Sequence, residues 1–233
     1  MPAMTRCSED RSGERRTMPS KRESAASRLD DARARMYRDL IFDSAEFVFG
    51  RKGFEGATMQ EIAAEAGVSL KTVYASFPGK QNIYLEIMAV RGRAMSEAVR
   101  RAREDAEGPI EQLSQGARAF VRFALEHADW MRIHTRSRTS WAERPETGGV
   151  AELWDEGMSA DAALLREGME LGLFWQEEPQ ELALVLQALE KVQVSQAIES
   201  GESDVEAVAD RLVERLLRLV CKNPNQIEVR EAG

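Results

Sequence analysis

Residues 58–79, TMQEIAAEAGVSLKTVYASFPG, limit the fold more than any other stretch of the chain. Thr58-Met59-Gln60-Glu61 is a capping box: the Thr58 hydroxyl accepts from the Glu61 amide, and the Glu61 carboxylate reaches back to the Thr58 amide. A short helix therefore starts at this point, with Ile62, Ala63 and Ala66 as its apolar face. Gly67 supplies a sharp turn, Val68 plugs inward, and Ser69 caps a second short helix whose inner residues are Val73 and Phe77. Pro78-Gly79 stops it. Its outward residues, Leu70, Lys71, Thr72, Ala75 and Ser76, are small or polar enough to approach base edges. Two short helices joined by a Gly turn form a helix-turn-helix, whose second helix fits a DNA major groove.

The flanking chain reads as helix throughout, giving an all-α fold of about nine helices. Before the motif, Met36, Leu40, Ile41, Ala45 and Val48 recur at three- and four-residue steps from Asp30 onward. Arg51 and Lys52 favour the C-terminal end of that helix, Gly53 can take positive φ, and Phe54 follows as the closing apolar contact. After the motif, helices are predicted over 80–106, 109–127 (opened by Pro109), a shorter piece carrying Trp130, Met131 and Ile133, 150–171, 179–200 (opened by Pro179) and 203–221. The last is opened by a second capping box, Ser203-Asp204-Val205-Glu206. Residues 140–149 read as a loop. No strand pattern or internal repeat competes.

The expected organisation is a disordered arm (1–27), a DNA-binding domain (28–79), an effector-binding and dimerisation domain (80–222) and a tail (223–233). The arm is rich in Arg, Ser and Glu with almost no apolar side chains, so it cannot offset the entropy of ordering. Its Arg15, Arg16, Lys21 and Arg22 belong to a solvated tail or reach into a DNA groove, and Met18 allows a shorter translated form.

A net charge of −8 argues against a general nucleic-acid glue, but the average hides an asymmetry. Residues 1–105 hold 19 Lys and Arg against 16 Asp and Glu, whereas 106–233 hold 13 against 24. The first half is the one that can face phosphates. Two cysteines, Cys7 and Cys221, and two histidines, His127 and His134, form no metal-ligand spacing, so neither metal nor cofactor is expected. With no bilayer-length apolar run and no apolar signal-peptide core, no membrane partner is expected and a cytoplasmic setting is.

The string TMQEIAAEAGVSLKTVYASFPGKQNIYLEIM, preceded by AEFVFGRKGFEGA, resembles the tetracycline-repressor (TetR) family of bacterial transcriptional regulators over about residues 35–95. That resemblance implies phosphate contacts from Thr58, Tyr74 and Lys80, and places Ser69, Leu70, Lys71 and Thr72 at the groove. Ser76 stands where many members carry His, and Leu70-Lys71 where many carry a small residue and Gly, so the operator sequence cannot be borrowed. The chemistry of the side chains agrees: Lys71 can meet a guanine edge or a phosphate, and Tyr74 is a long hydroxyl donor.

Beyond the motif, Met88, Phe120, Phe123, Trp130, His134, Trp141, Trp154 and Met158 form the candidate effector site. The competing reading for the tryptophans, Trp175 included, is ordinary helix core. Arg132, Arg136 and Arg138 are a solvated face or a clamp for an acidic ligand. Leu182, Leu186, Leu189, Val205, Val208, Leu212, Leu216 and Leu219 exceed what one helical pair covers, which points to pairing with a twofold mate; the alternative buries both stripes inside the monomer. The expected function is a homodimeric repressor, released from a palindromic operator by a small, largely apolar effector. A ligand-independent regulator or activator shares every motif in 35–95. A helical enzyme would need a nucleophile, paired carboxylates or a metal motif, and none stands at recognisable spacing.

Overall fold

The computed structural model describes residues 25–136 and 149–223. Among them nine helices follow one another: α1 (Ala25–Gly56), α2 (Met59–Glu65), α3 (Leu70–Ser76), α4 (Lys80–Glu104), α5 (Gly108–Glu126), α6 (Ala128–Arg136), α7 (Gly149–Glu170), α8 (Pro179–Ser200) and α9 (Val205–Val220). The fold is all-α. The arm up to residue 24, Trp141 and Arg138 lie outside the described residues, as do residues 224–233; Ala25 to Ser27, assigned to the arm, already belong to α1.

The capping chemistry of the first domain is present as read. Thr58 Oγ1 accepts from the Glu61 amide at 3.2 Å and the Glu61 carboxylate accepts from the Thr58 amide at 3.0 Å. Ser69 Oγ accepts from the Thr72 amide at 3.1 Å. Gly53 breaks the helical path of α1 with φ 73° and ψ 166°, a conformation that side chains with a Cβ rarely adopt. That turn brings the Phe54 ring to 5.8 Å from Phe49 and 4.9 Å from Tyr84. Around it, Ile41, Ala45 and Phe49 of α1 are buried with Ile62 and Ala63 of α2, Val73 of α3, Phe77, and Ile83 and Ile87 of α4. One continuous apolar cluster thus joins the helix-turn-helix to the start of α4.

Beyond the helix-turn-helix, α5 packs against both α4 and α9. Gly116 lets the Arg103 side chain of α4 lie against α5: a Cβ there would stand 2.5 Å from Arg103 Nε. Arg118 of α5 pairs with Asp210 of α9 at 2.6 Å, and Arg122 with Glu206 at 3.0 Å. The connection after α7 is tied to the end of α9 by an isolated antiparallel bridge between Phe174 and Cys221, with Trp175 N–H donating to the Val220 carbonyl at 2.9 Å.

Two sequence readings change here. The cap of α9 is Asp204, not Ser203: its carboxylate accepts from the Ala207 amide at 3.0 Å, and Glu206, expected to complete a box, pairs instead with Arg118 and Arg122. A carboxylate at the helix N-terminus gains from the dipole as well as the hydrogen bond. Most of the apolar stripe of α9 is also packed within the protomer, Leu219 excepted. Leu212 and Leu216 are fully buried within the protomer and Leu186 nearly so, because α5 covers α9 and α7 covers α8.

Candidate functional site

α3 is seven residues long, and Val73 is its only buried residue. The rest of its surface faces outward: Lys71, Tyr74 and Ala75 are exposed, and Leu70, Thr72 and Ser76 partly so. Tyr74 is about half exposed. Ser69 and Thr72 share a hydrogen bond between their hydroxyls at 2.8 Å, which fixes both at the leading end of α3. Thr58 is exposed beside them in sequence order at the start of α2, and since its oxygen already accepts from Glu61, its hydroxyl proton remains available to an outside acceptor. The structure therefore presents the polar side-chain atoms of Thr58, Ser69, Lys71, Thr72 and Tyr74 on or beside the two short helices outside the core, whereas Leu70 is partly buried and packs against it.

Lys80, expected to meet a phosphate, is also engaged within the protomer. Its Nζ donates to the Phe54 carbonyl at 2.6 Å and the Ala57 carbonyl at 3.0 Å, and lies 4.4 Å from the Phe54 ring centroid. Two of its three N–H donors thus close the turn that precedes Thr58. The positive charge suits these carbonyls, which sit at the C-terminal end of α1.

The candidate effector residues fall into one interior. Met88, Phe120, Phe123, Trp130 and Met158 are buried members of the core, with Trp154 packed against it. Phe123 meets Trp130 edge-on at 5.8 Å, and Trp130 meets His134 edge-on at 4.7 Å. Trp175, by contrast, is half exposed.

Polar groups lie beside these apolar side chains. Arg103 pairs with Asp161 at 2.8 Å, and Gln187 donates to the same carboxylate at 3.1 Å. Desolvation, with Asp161 nearby, pushes the Glu190 carboxyl up to about 8, while burial near Lys191 brings the His134 imidazole down to about 4. The indole N–H groups of Trp130 and Trp154 and the Ser195 hydroxyl are buried and have no hydrogen-bond partner among the described residues. Buried donors left in that state cost free energy that a ligand acceptor recovers. Of these groups, Arg103, Asp161, Gln187, Glu190, Lys191 and Ser195 escape the sequence reading because they are spread over α4, α7 and α8, with no spacing signal between them.

A separate open groove of about 480 Å³ lies between α4 and α7, lined by Arg93, Ala94, Ser96, Glu97, Arg100, Leu153 and Glu156. None of the candidate effector residues lines it. Among the described residues no group of three or more His, Cys, Asp or Glu is placed to hold a metal, and no helix is long and apolar enough to cross a membrane.

Residues 41–87, from the middle of α1 to the second turn of α4, match the model for bacterial regulatory proteins of the tetR family. The A-factor receptor protein of Streptomyces griseus is 29% identical over 168 residues, which cover 71% of this chain and 56% of that protein. The aligned part is thus little more than half of that curated relative. Among solved structures, the ketosteroid transcriptional regulator KstR2 of Mycobacterium tuberculosis superposes with a TM-score of 0.67 at 16% identity, over 79% of this chain and 95% of that one. The fatty acid degradation regulator FadR from Bacillus halodurans gives 0.66 at 20% identity, over 78% and 94%. At such identities the superpositions establish a shared fold.

Proposed function

The chain belongs to the tetR family of bacterial regulatory proteins, and on that premise we propose that it is a homodimeric repressor released from a palindromic operator by a small, largely apolar effector. The observation that carries the reading is the exposed polar surface of α3, with Lys71 and Tyr74 outward and Val73 as its one buried residue. Lys71 and Thr72 read base edges, Ser69 and Leu70 fit the groove beside them, and Thr58 and Tyr74 hold phosphates. A single helix-turn-helix buries too little DNA surface for high specificity, so two copies act together. The surface left for the second copy is a stripe on α8, Val185, Ala188 and Val192, flanked by the partly buried Leu182 and Leu189, together with Leu219 of α9.

The effector occupies the interior between α4, α5, α6, α7 and α8, against Met88, Phe120, Phe123, Trp130, His134, Trp154 and Met158. A relative that is by name a receptor supports a ligand-responsive reading. α4 joins this interior, through Met88, to the DNA-binding end, through Lys80. An effector that prefers the DNA-incompetent spacing of the two α3 helices weakens DNA binding by its differential affinity.

The test is selection of duplexes from a random-sequence library by the full chain, followed by mobility-shift titration. Enrichment of a twofold-symmetric duplex supports the reading, and failure to enrich any duplex overturns it. A compound library screened by tryptophan emission then identifies effectors: a true one releases the selected duplex and binds the complex more weakly than the free protein.

A further inference from the structure

Arg38 of α1 makes three contacts at once, on α3, its cap and α4. Its Nη1 donates to the Ser76 carbonyl at 2.7 Å, at the last residue of α3. Its Nη2 pairs with Glu86, in the second turn of α4. The guanidinium carbon lies 4.1 Å from the centroid of the Phe77 ring, which is itself buried and closes α3. A seven-residue helix has too little internal hydrogen bonding to hold its own direction, so its orientation comes from what grips its ends. The leading end of α3 is gripped by Ser69. At the trailing end Arg38 supplies one partner to a carbonyl that has none within the helix and places positive charge at the negative pole of the dipole.

We propose that Arg38 is a positioning residue for DNA reading: it fixes the direction of α3 and, through Glu86, registers that direction against α4. The inference rests on the DNA-binding reading of α3 above. A guanidinium suits this task because its donors diverge in a rigid plane, so one side chain holds the Ser76 carbonyl and the Glu86 carboxylate simultaneously while stacking on Phe77. An ammonium has the charge without that fork. The link also gives a displacement of α4 a direct route to α3: Glu86 moves with α4, and the Ser76 carbonyl follows through Arg38.

The experiment uses the full chain and the duplex that the wild-type protein enriches from a random library. Arg38→Lys and Glu86→Gln are compared with wild type on that duplex and on a random-sequence duplex, each across a salt series. Amide exchange of α3 is followed in the free proteins, and far-UV circular dichroism confirms that each is folded. Arg38→Lys is expected to bind the selected duplex roughly tenfold more weakly, the loss of one charge-assisted bond. Affinity for random DNA and the salt slope stay as in wild type, and α3 amides exchange faster. Glu86→Gln, which leaves the Ser76 bond in place, shows a smaller loss of the same kind and keeps the test open if Arg38→Lys does not fold. Unchanged affinity for the selected duplex in the folded variants overturns the proposal. So does an equal loss on both duplexes with a shallower slope, which would make Arg38 a phosphate contact itself. If wild type enriches nothing, the DNA-binding reading fails first and this inference with it.

Discussion

A Cβ on Gly50 would stand 2.8 Å from the Asp129 carbonyl oxygen and 3.0 Å from the Asp129 Cα, so α1 and α6 cross backbone to backbone at this point. Backbone atoms cannot rotate aside as a side-chain tip can. Gly50→Ala must push α6 away from α1, at about 1–3 kcal/mol for overpacking. The better helix propensity of Ala returns up to about 1 kcal/mol, so the net change is a loss of stability. Urea unfolding should show a lower midpoint, and an unchanged midpoint would mean that α6 yields freely.

Lys80→Ala removes two hydrogen bonds to the Phe54 and Ala57 carbonyls. Each bond involves a charged donor, so the variant should be less stable by about 1.5–3 kcal/mol. The salt dependence of DNA binding should keep its slope. A slope shallower by roughly 0.9 per protomer would instead return Lys80 to the phosphate backbone.

What was legible in the sequence was local. The Thr58 box and the Ser69 cap each close within four residues, so their chemistry is written in the string itself. The carbonyl contacts of Lys80 carry no sequence signal, because its partners lie 23 and 26 residues away and are brought to it by the turn at Gly53. Arg38 carried no signal at all, since Ser76 and Glu86 are 38 and 48 residues distant. For α9 the difficulty was different. Val208, Ala209, Leu212, Val213, Leu216, Leu217 and Val220 are all buried in the protomer, and periodicity shows an apolar face without showing which neighbour covers it.

That distinction can be measured. Val192 is about half exposed on α8, whereas Leu216 is wholly buried under α5. Val192→Glu should leave the protomer folded and shift sedimentation from dimer to monomer. Leu216→Glu should unfold the protomer, because an unpaired carboxylate in an apolar interior costs several kcal/mol. If Val192→Glu remains dimeric, the partner surface lies elsewhere than this stripe.

The last prediction concerns pH. The His134 imidazole is held down to about 4 from an ordinary 6.5, so between these values the unfolded chain binds the proton that the folded chain refuses. Stability contributed by His134 is therefore complete above 6.5 and is lost as pH falls toward 4. Glu190 has the opposite sense: its carboxyl is raised from 4.5 to about 8, so the folded chain keeps a proton that the unfolded chain releases. Its contribution is complete below 4.5 and is lost as pH rises toward 8. Between 4.5 and 6.5 the two slopes oppose each other, and from 6.5 to 8 only that of Glu190 remains. Thermal midpoints should accordingly fall between pH 6.5 and 8 in the wild-type protein. Glu190→Gln, which keeps the shape and cannot ionise, should abolish that fall while leaving a decline below 6.5 that His134→Gln removes. A Glu190→Gln protein with the wild-type profile from 6.5 to 8 would show that this carboxyl is not desolvated by burial in the folded chain.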